Sequence, residues 1–211
     1  MKITIFTSNR PRHMSLINRL SKNSNKCCAI VENKNHFLDK LDYKKNSILK
    51  NKYFSNVEKC ENEIFKNDYF INKKVNLLSI NHGEINFLKK KDIKNFLKSD
   101  LYIVFGASYI KGWLIKFLIK KSALNLHMGI SPYYRGSACN FWAIYDNKPQ
   151  FMGATIHHLS KGLDNGKILF HALPKTKKYK NNFDFTMNSV LAAQKILVKK
   201  INNKSIFKIK P

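Results

Sequence analysis

Three short apolar runs constrain what this chain can fold into. Residues 2–8 (KITIFTS), 27–33 (CCAIVEN) and 101–108 (LYIVFGAS) are rich in β-branched and aromatic side chains and stay largely apolar without alternation. That is the pattern of strands buried on both faces. Between the first two lies SNRPRHMSLINRLSK, where Ser8 or Asn9 can cap a helix and Pro11 suits its first turn. Strand, helix, strand in this order predicts parallel pairing through a right-handed crossover. Further strands are predicted at 75–80 (VNLLSI) and 123–129 (ALNLHMG), with a strand pair at 151–159 and 167–173. Helices are predicted around 84–98, over 110–121 and 183–201, and in FWAIYD at 141–146. The lysine- and asparagine-rich stretch 34–73 reads as helical with loops. Alternating strands and helices predict an α/β fold: one Rossmann-like, mostly parallel sheet with helices on both faces, closed by a C-terminal helix.

Composition sets the outer limits. The chain has 211 residues, 44% of them hydrophobic, enough for one sizeable core. No apolar run approaches the roughly 18–20 residues of a membrane span, and the start MKITIFTSN lacks a leader pattern, so a cytoplasmic protein without a membrane partner is expected. Cys27, Cys28, Cys60 and Cys139 form no CxxC spacing, which predicts buried free thiols and no metal site. The net charge of +26 comes from 39 basic against 13 acidic residues. Only Arg10, Arg12, Arg19 and Arg135 are arginines, and the lysines are scattered along the chain. Nucleic-acid binders more often gather arginine on one face, so a nucleic-acid partner is not expected and the lysines should cover most of the surface.

The chemistry concentrates on one strand. Asn125 and His127 share a face of the 123–129 strand, because side chains repeat every second residue. They sit at its carboxyl end, where open α/β sheets place ligand crevices. The loop GISPYYRGSACN follows at once, and a second polar loop, SKGLDNGKIL, centres on Asp164. His157 and His158 read as a buried and an exposed strand residue, and Trp113, Trp142 and most phenylalanines read as core. His82 and Cys139 carry no assigned role.

These segments together resemble the catalytic domain of the folate-dependent formyltransferases. That family reads roughly Asn-x-His-x-Ser-Leu-Leu-Pro followed by Tyr-Arg-Gly. Here the run is Asn125-Leu126-His127-Met128-Gly129-Ile130-Ser131-Pro132, then Tyr134-Arg135-Gly136. The family's Thr-Gly-x-Thr-Ile strand is similar to Met152-Gly153-Ala154-Thr155-Ile156. Its Gly-Leu-Asp-Thr-Gly-x-Ile loop is similar to Gly162-Leu163-Asp164-Asn165-Gly166-Lys167-Ile168. Gly129 replaces the usual Ser and Asn165 the usual Thr, which bears on loop shape and substrate choice.

The resemblance implies 10-formyltetrahydrofolate as co-substrate and no metal. It implies that Asn125, His127 and Asp164 are catalytic. An amide N–H and an imidazole can hold the oxyanion formed when an amine attacks the formyl carbon. The carboxylate would favour a protonated imidazole and relay the amine's proton through water. It further implies that the pterin lies against Phe105, Gly106, Ala107, Ser108, Tyr109 and Ile110, together with Leu159 and Gly162. Residues 1–175 would form the catalytic domain, and 176–211 a linker with a helix packing on it.

The acceptor is expected nearer the amino-terminal half. Ser8, Asn9, Arg10 and Arg12 surround a predicted helix start whose free N–H groups and arginines suit a phosphate. An ordinary capped helix with exposed arginines explains them equally. Pro132, Tyr134, Arg135 and Gly136 belong to the loop that would face the acceptor. Transfer-RNA formylating members of the family carry a second domain, so this sequence is expected to be one of the smaller members. Its YYRG loop and NFWAIYD segment look more like the enzymes acting on nucleotide-linked amino sugars than like those acting on glycinamide ribonucleotide. A homodimer is an allowed assembly. A non-catalytic basic binding module on the same fold is the alternative of another class.

Overall fold

The computed structural model describes residues 1–33, 48–66 and 69–211; part of the 34–73 expectation therefore lies outside the described residues. The strands are β1 (Lys2–Ser8), β2 (Lys26–Asn33), β3 (Val75–Asn81), β4 (Leu101–Phe105), β5 (Leu124–His127), β6 (Ala154–His158) and β7 (Ile168–Ala172). Among the described residues the helices are α1 (Pro11–Lys22), α2 (Ile48–Phe65), α3 (Gly112–Lys120), α4 (Cys139–Tyr145) and α5 (Asn182–Asn202). The strands form one seven-stranded sheet in the order β3-β2-β1-β4-β5-β6-β7. β1 to β5 run parallel, β6 runs antiparallel to β5, and β7 antiparallel to β6. The chain is thus an α/β protein with a mostly parallel sheet.

Strand alternation divides the core into two layers. Ile3, Ile5, Ala29, Ile103, Leu124 and Leu126 face α1, α2 and α5, whose contribution includes Leu16, Leu20, Met187, Val190 and Leu197. Phe6, Ile30, Tyr102 and Val104 face α3 through Leu114, Ile115 and Leu118. Burying each large apolar side chain contributes about 1.5–3 kcal/mol before entropy. Because Leu124 and Leu126 belong to the first layer, Asn125 and His127 necessarily point to the α3 side. By the same parity Thr155 and His157 of β6 point that way too, since Ala154 and Ile156 are in the first layer. All four cysteines are buried free thiols. Among the described residues, no helix is long and apolar enough to cross a membrane.

Three sequence expectations fail here. The helix predicted around 84–98 is a single 3-10 turn (Glu84–Asn86) followed by hydrogen-bonded turns. Only Ile85 and Ile93 are fully buried in this stretch, and the Thr4 hydroxyl donates to the Phe96 carbonyl. Tertiary ties thus replace helical bonds beside three consecutive lysines, Lys89 to Lys91. Neither Ser8 nor Asn9 caps α1: the N-cap is Arg10, without a side-chain cap. The buried Glu61 of α2 instead accepts the Arg12 backbone N–H at 3.1 Å and pairs with the Arg12 guanidinium at 2.8 Å. Finally, Trp142 is about half exposed, on α4 beside the exposed Phe141 and Tyr145.

Candidate active site

Cross-strand register assembles the polar cluster. Antiparallel pairing sets Asn125 opposite His157 and His127 opposite Thr155, bringing all four side chains together on one face of the sheet. Asp164, from the loop between β6 and β7, completes the group. Its Oδ1 accepts from Asn125 Nδ2 at 2.8 Å, and its Oδ2 accepts from the Gly136 backbone N–H at 3.0 Å. His127 Nδ1 lies 3.2 Å from Oδ2, and its Nε2 faces the Tyr134 carbonyl at 3.0 Å. Thr155 Oγ1 donates to the Gly129 carbonyl and accepts from Ser131 N–H, fixing the start of the loop. Asn125, His127 and Asp164, which the sequence placed on a strand end and a later loop, converge in one crevice.

His157 belongs to this cluster, although alternation alone reads it as core. Its Nδ1 lies 2.8 Å from the His158 carbonyl, which can only accept, so that nitrogen carries a proton. Its Nε2 is 3.2 Å from Asn125 Nδ2 and 3.7 Å from Asp164 Oδ1. The signal was the shared parity of Thr155 and His157, interpretable only once β6 is known to pair antiparallel with β5.

The backbone holding Asp164 is bent to purpose. Asp164 has φ 45°, in the left-handed region that aspartate tolerates better than most residues. Gly136 has φ 91°, and its N–H reaches the carboxylate from that conformation. Gly129 is small for a different reason. A Cβ there would stand 2.6 Å from Cys139 Cβ, 2.7 Å from His127 Nε2 and 3.0 Å from the Tyr134 carbonyl. Gly129→Ala is expected to destabilise the protein by about 1–3 kcal/mol through overpacking. It should also slow any reaction that needs His127 by at least about tenfold. Melting and rate measurements check this; an unchanged melting temperature with an unchanged rate would contradict it.

Electrostatics correct one expectation. Burial lowers the His127 imidazole and outweighs the Asp164 carboxylate and the Tyr134 carbonyl, which both raise it. The ring is therefore biased toward its neutral form, where the adjacent carboxylate alone would favour imidazolium. At Asp164 burial acts upward, but His157, His127 and the Gly136 N–H prevail and hold the carboxyl below the ordinary aspartate value. Burial, with Asp164 nearby, pushes the Cys139 thiol up to about 11, so it is no nucleophile at neutral pH. The two site shifts act together on stability. Below about pH 6.5 the unfolded chain protonates His127 while the folded one resists, so stability falls as pH drops. The contribution of Asp164 is present above its unfolded value and is lost as pH falls through its lower folded value. Melting temperature is thus expected to decline below about pH 6.5, less steeply in His127→Gln. Equal slopes between pH 6.5 and 5 in the two proteins would contradict this.

The cluster forms the floor of a cleft of about 710 Å³ at the carboxyl ends of β4 and β5. Phe105, Gly106, Ala107, Ser108, Tyr109, Ile110, Leu159 and Gly162 all line it. Of the residues expected at the acceptor, Arg12 and Gly136 line it as well. Ser8 is buried, Asn9 and Arg10 are half-buried beside it, and Pro132 and Arg135 are exposed on the loop. Tyr134 turns its hydroxyl to Asp146 at 2.8 Å. The amino end of α1, expected to offer free N–H groups to a phosphate, receives the internal carboxylate of Glu61. Sequence reading missed that residue because the partner comes from another helix. Tyr53, Phe54 and Phe141 add an aromatic wall, with Tyr53 and Phe141 edge to face at 5.4 Å.

Known proteins bear on this geometry. The family model described as formyl transferase matches residues 89–200, just over half of the chain. The chain is 34% identical over 73 residues to a methionyl-tRNA formyltransferase of Desulforamulus reducens, covering 35% of this chain and 23% of that protein. The alignments with this relative and with its Clostridium tetani counterpart thus span about a quarter of the curated proteins' length. Among solved structures, a phosphoribosylglycinamide formyltransferase from Anaplasma phagocytophilum superposes with TM-score 0.62 at 16% identity, covering 99% of this chain and 88% of that one. A sugar N-formyltransferase from a Shewanella species superposes with TM-score 0.57 at 17% identity, covering 100% and 72%. The two solved structures share this chain's fold, and with more than half its length matched by the family model, the chain belongs to the formyl transferase family.

Proposed function

We propose that this chain transfers a formyl group from 10-formyltetrahydrofolate to a primary amine carried by a nucleotide-linked amino sugar. The reading rests above all on Asn125, His127 and Asp164 meeting at the floor of the cleft. The cleft suits the co-substrate: its volume is in the range of small-molecule sites, with apolar walls from Phe105, Ile110 and Leu126 above a polar floor. When bound, the folate supplies an activated formyl carbon.

The chain's own groups do the remainder. Asn125 Nδ2 donates to Asp164, and His127 Nε2 faces the Tyr134 carbonyl. A substrate oxygen that displaces this carbonyl offers His127 an acceptor whose charge grows as the amine attacks, which is where a preorganised donor lowers a barrier. Asp164, held ionised beside Nδ1, pairs with that nitrogen once the ring takes up a proton and so stabilises the imidazolium that the growing charge favours. Through water it also accepts the proton leaving the amine. That proton returns to the folate nitrogen as its bond to the formyl carbon breaks, releasing tetrahydrofolate and the formamide. Such acid–base help contributes about 10²–10⁴-fold. The aromatic wall of Tyr53, Phe54 and Phe141 supports a planar base on the acceptor, since ring faces stack on one another.

Two measurements separate the readings. A non-reactive folate analogue at about 100 times its dissociation constant should stabilise the fold by about 2.7 kcal/mol. The shift should survive moderate salt, unlike attraction to a +26 surface. Rates with nucleotide-linked amino sugars against glycinamide ribonucleotide then identify the acceptor. Faster formylation of the ribonucleotide would overturn the sugar assignment, and folate binding without transfer to any amine would favour a binding module.

A further inference from the structure

Glu32, at the carboxyl end of β2, is fully buried, and the chemistry above makes no use of it. Its Oε2 accepts the Ser108 backbone N–H at 2.6 Å, while its Oε1 accepts the Ser108 hydroxyl at 2.7 Å and the Gly83 N–H at 2.8 Å. Asn86, in the turn that Gly83 begins, holds the same loop one step further along. Its Nδ2 donates to the Tyr109 carbonyl at 3.0 Å, and its Oδ1 accepts the Lys111 N–H at 2.7 Å. Two further ties fix the ends of the loop. The His13 ring lies against Gly106, where a Cβ would come 2.6 Å from His13 Nε2. The Tyr109 hydroxyl donates across the cleft to the Lys161 carbonyl at 2.5 Å, joining this loop to the one that carries Asp164.

Burying a carboxylate costs several kcal/mol, and here three donors offset that cost, while an apolar residue would leave the Ser108 and Gly83 N–H groups without their acceptor. What the carboxylate adds is direction. It draws the Ser108 N–H inward, and with Asn86 it fixes the peptide path of residues 106–111 along the cleft wall.

We propose that Glu32 and Asn86 are positioning residues for the folate: they set the backbone path of the 106–110 segment and so tune affinity for the pterin. This rests on the folate reading above. Neither residue lines the cleft, so both act through the loop and leave the reacting groups alone.

The test is steady-state transfer by the full chain, with the formyl donor varied at saturating amine, in wild type, Glu32→Gln and Asn86→Ala. Gln presents an amide N–H where the carboxylate accepted, leaving a buried donor unpaired. KM for the donor is expected to rise about tenfold in each variant with kcat within about threefold. The melting shift given by a non-reactive folate analogue should shrink in parallel. A KM within about twofold of wild type in a cooperatively melting variant, or a loss confined to kcat, would overturn the proposal. If Glu32→Gln does not fold, Asn86→Ala decides alone, since it leaves the buried carboxylate and its three bonds in place. Failure of the underlying reading looks different: wild type itself would then show neither analogue binding nor transfer.

Discussion

Replacing His127 by alanine is expected to slow formyl transfer by about 10²–10³-fold, the usual effect of removing a donor from a developing oxyanion. Folate binding should change far less. The ring meets Asp164 and the Tyr134 carbonyl in the absence of substrate, so its contribution to a bound formyl oxygen grows mainly as charge develops. A fall in kcat with nearly constant KM for the donor is the expected signature. His127 is buried, so a melting curve must accompany the kinetics to show that the variant is folded. Activity of the folded variant within a few-fold of wild type would remove His127 from the mechanism.

Asp164→Asn should cost about 10²–10⁴-fold in rate, through a different route. Asparagine tolerates the left-handed backbone at this position as aspartate does, so the loop keeps its path. It cannot keep the hydrogen bonds. Both carboxylate oxygens accept, Oδ1 from Asn125 and Oδ2 from Gly136, with His127 Nδ1 also beside Oδ2. An amide turns one acceptor into a donor, so Asn125 or Gly136 then meets an N–H. The charge that favours the imidazolium is lost as well, which lowers His127 further. Kinetics across pH check this, with the surviving activity expected to lose the wild type's acid-side dependence. A wild-type rate in the Asp164→Asn variant would show that no carboxylate is needed.

The parts of this molecule that were legible in the sequence are those fixed by local pattern. Apolar runs without alternation located β1, β2 and β4, because a parallel strand covered on both faces has no polar side. The polar residues Asn125 and His127 stood out for the same reason, interrupting a strand that should have been aliphatic. What stayed hidden depends on contacts distant in sequence. Glu61 caps α1 from another helix, and Glu32 ties two loops that lie 51 and 76 residues further along. His157 joins the site only through its register opposite Asn125. The 84–98 stretch departs from its helical pattern because its ties run to Thr4 and to the loop after β4. Gly129 was visible as a departure from the family pattern, but its cause, the close approach of Cys139 and Tyr134, was not.

The central claim is that the Asn125–His127–Asp164 cluster moves a formyl group from folate to an amine. The most direct measurement gives purified protein 10-formyltetrahydrofolate labelled with isotope in the formyl carbon, together with a panel of nucleotide-linked amino sugars and glycinamide ribonucleotide. Label should appear in a formamide product with the wild type, and on the same timescale be nearly absent with Asp164→Asn, while both proteins bind the folate. Folate bound tightly with no label transferred to any amine, or equal transfer by the two proteins, would contradict the account.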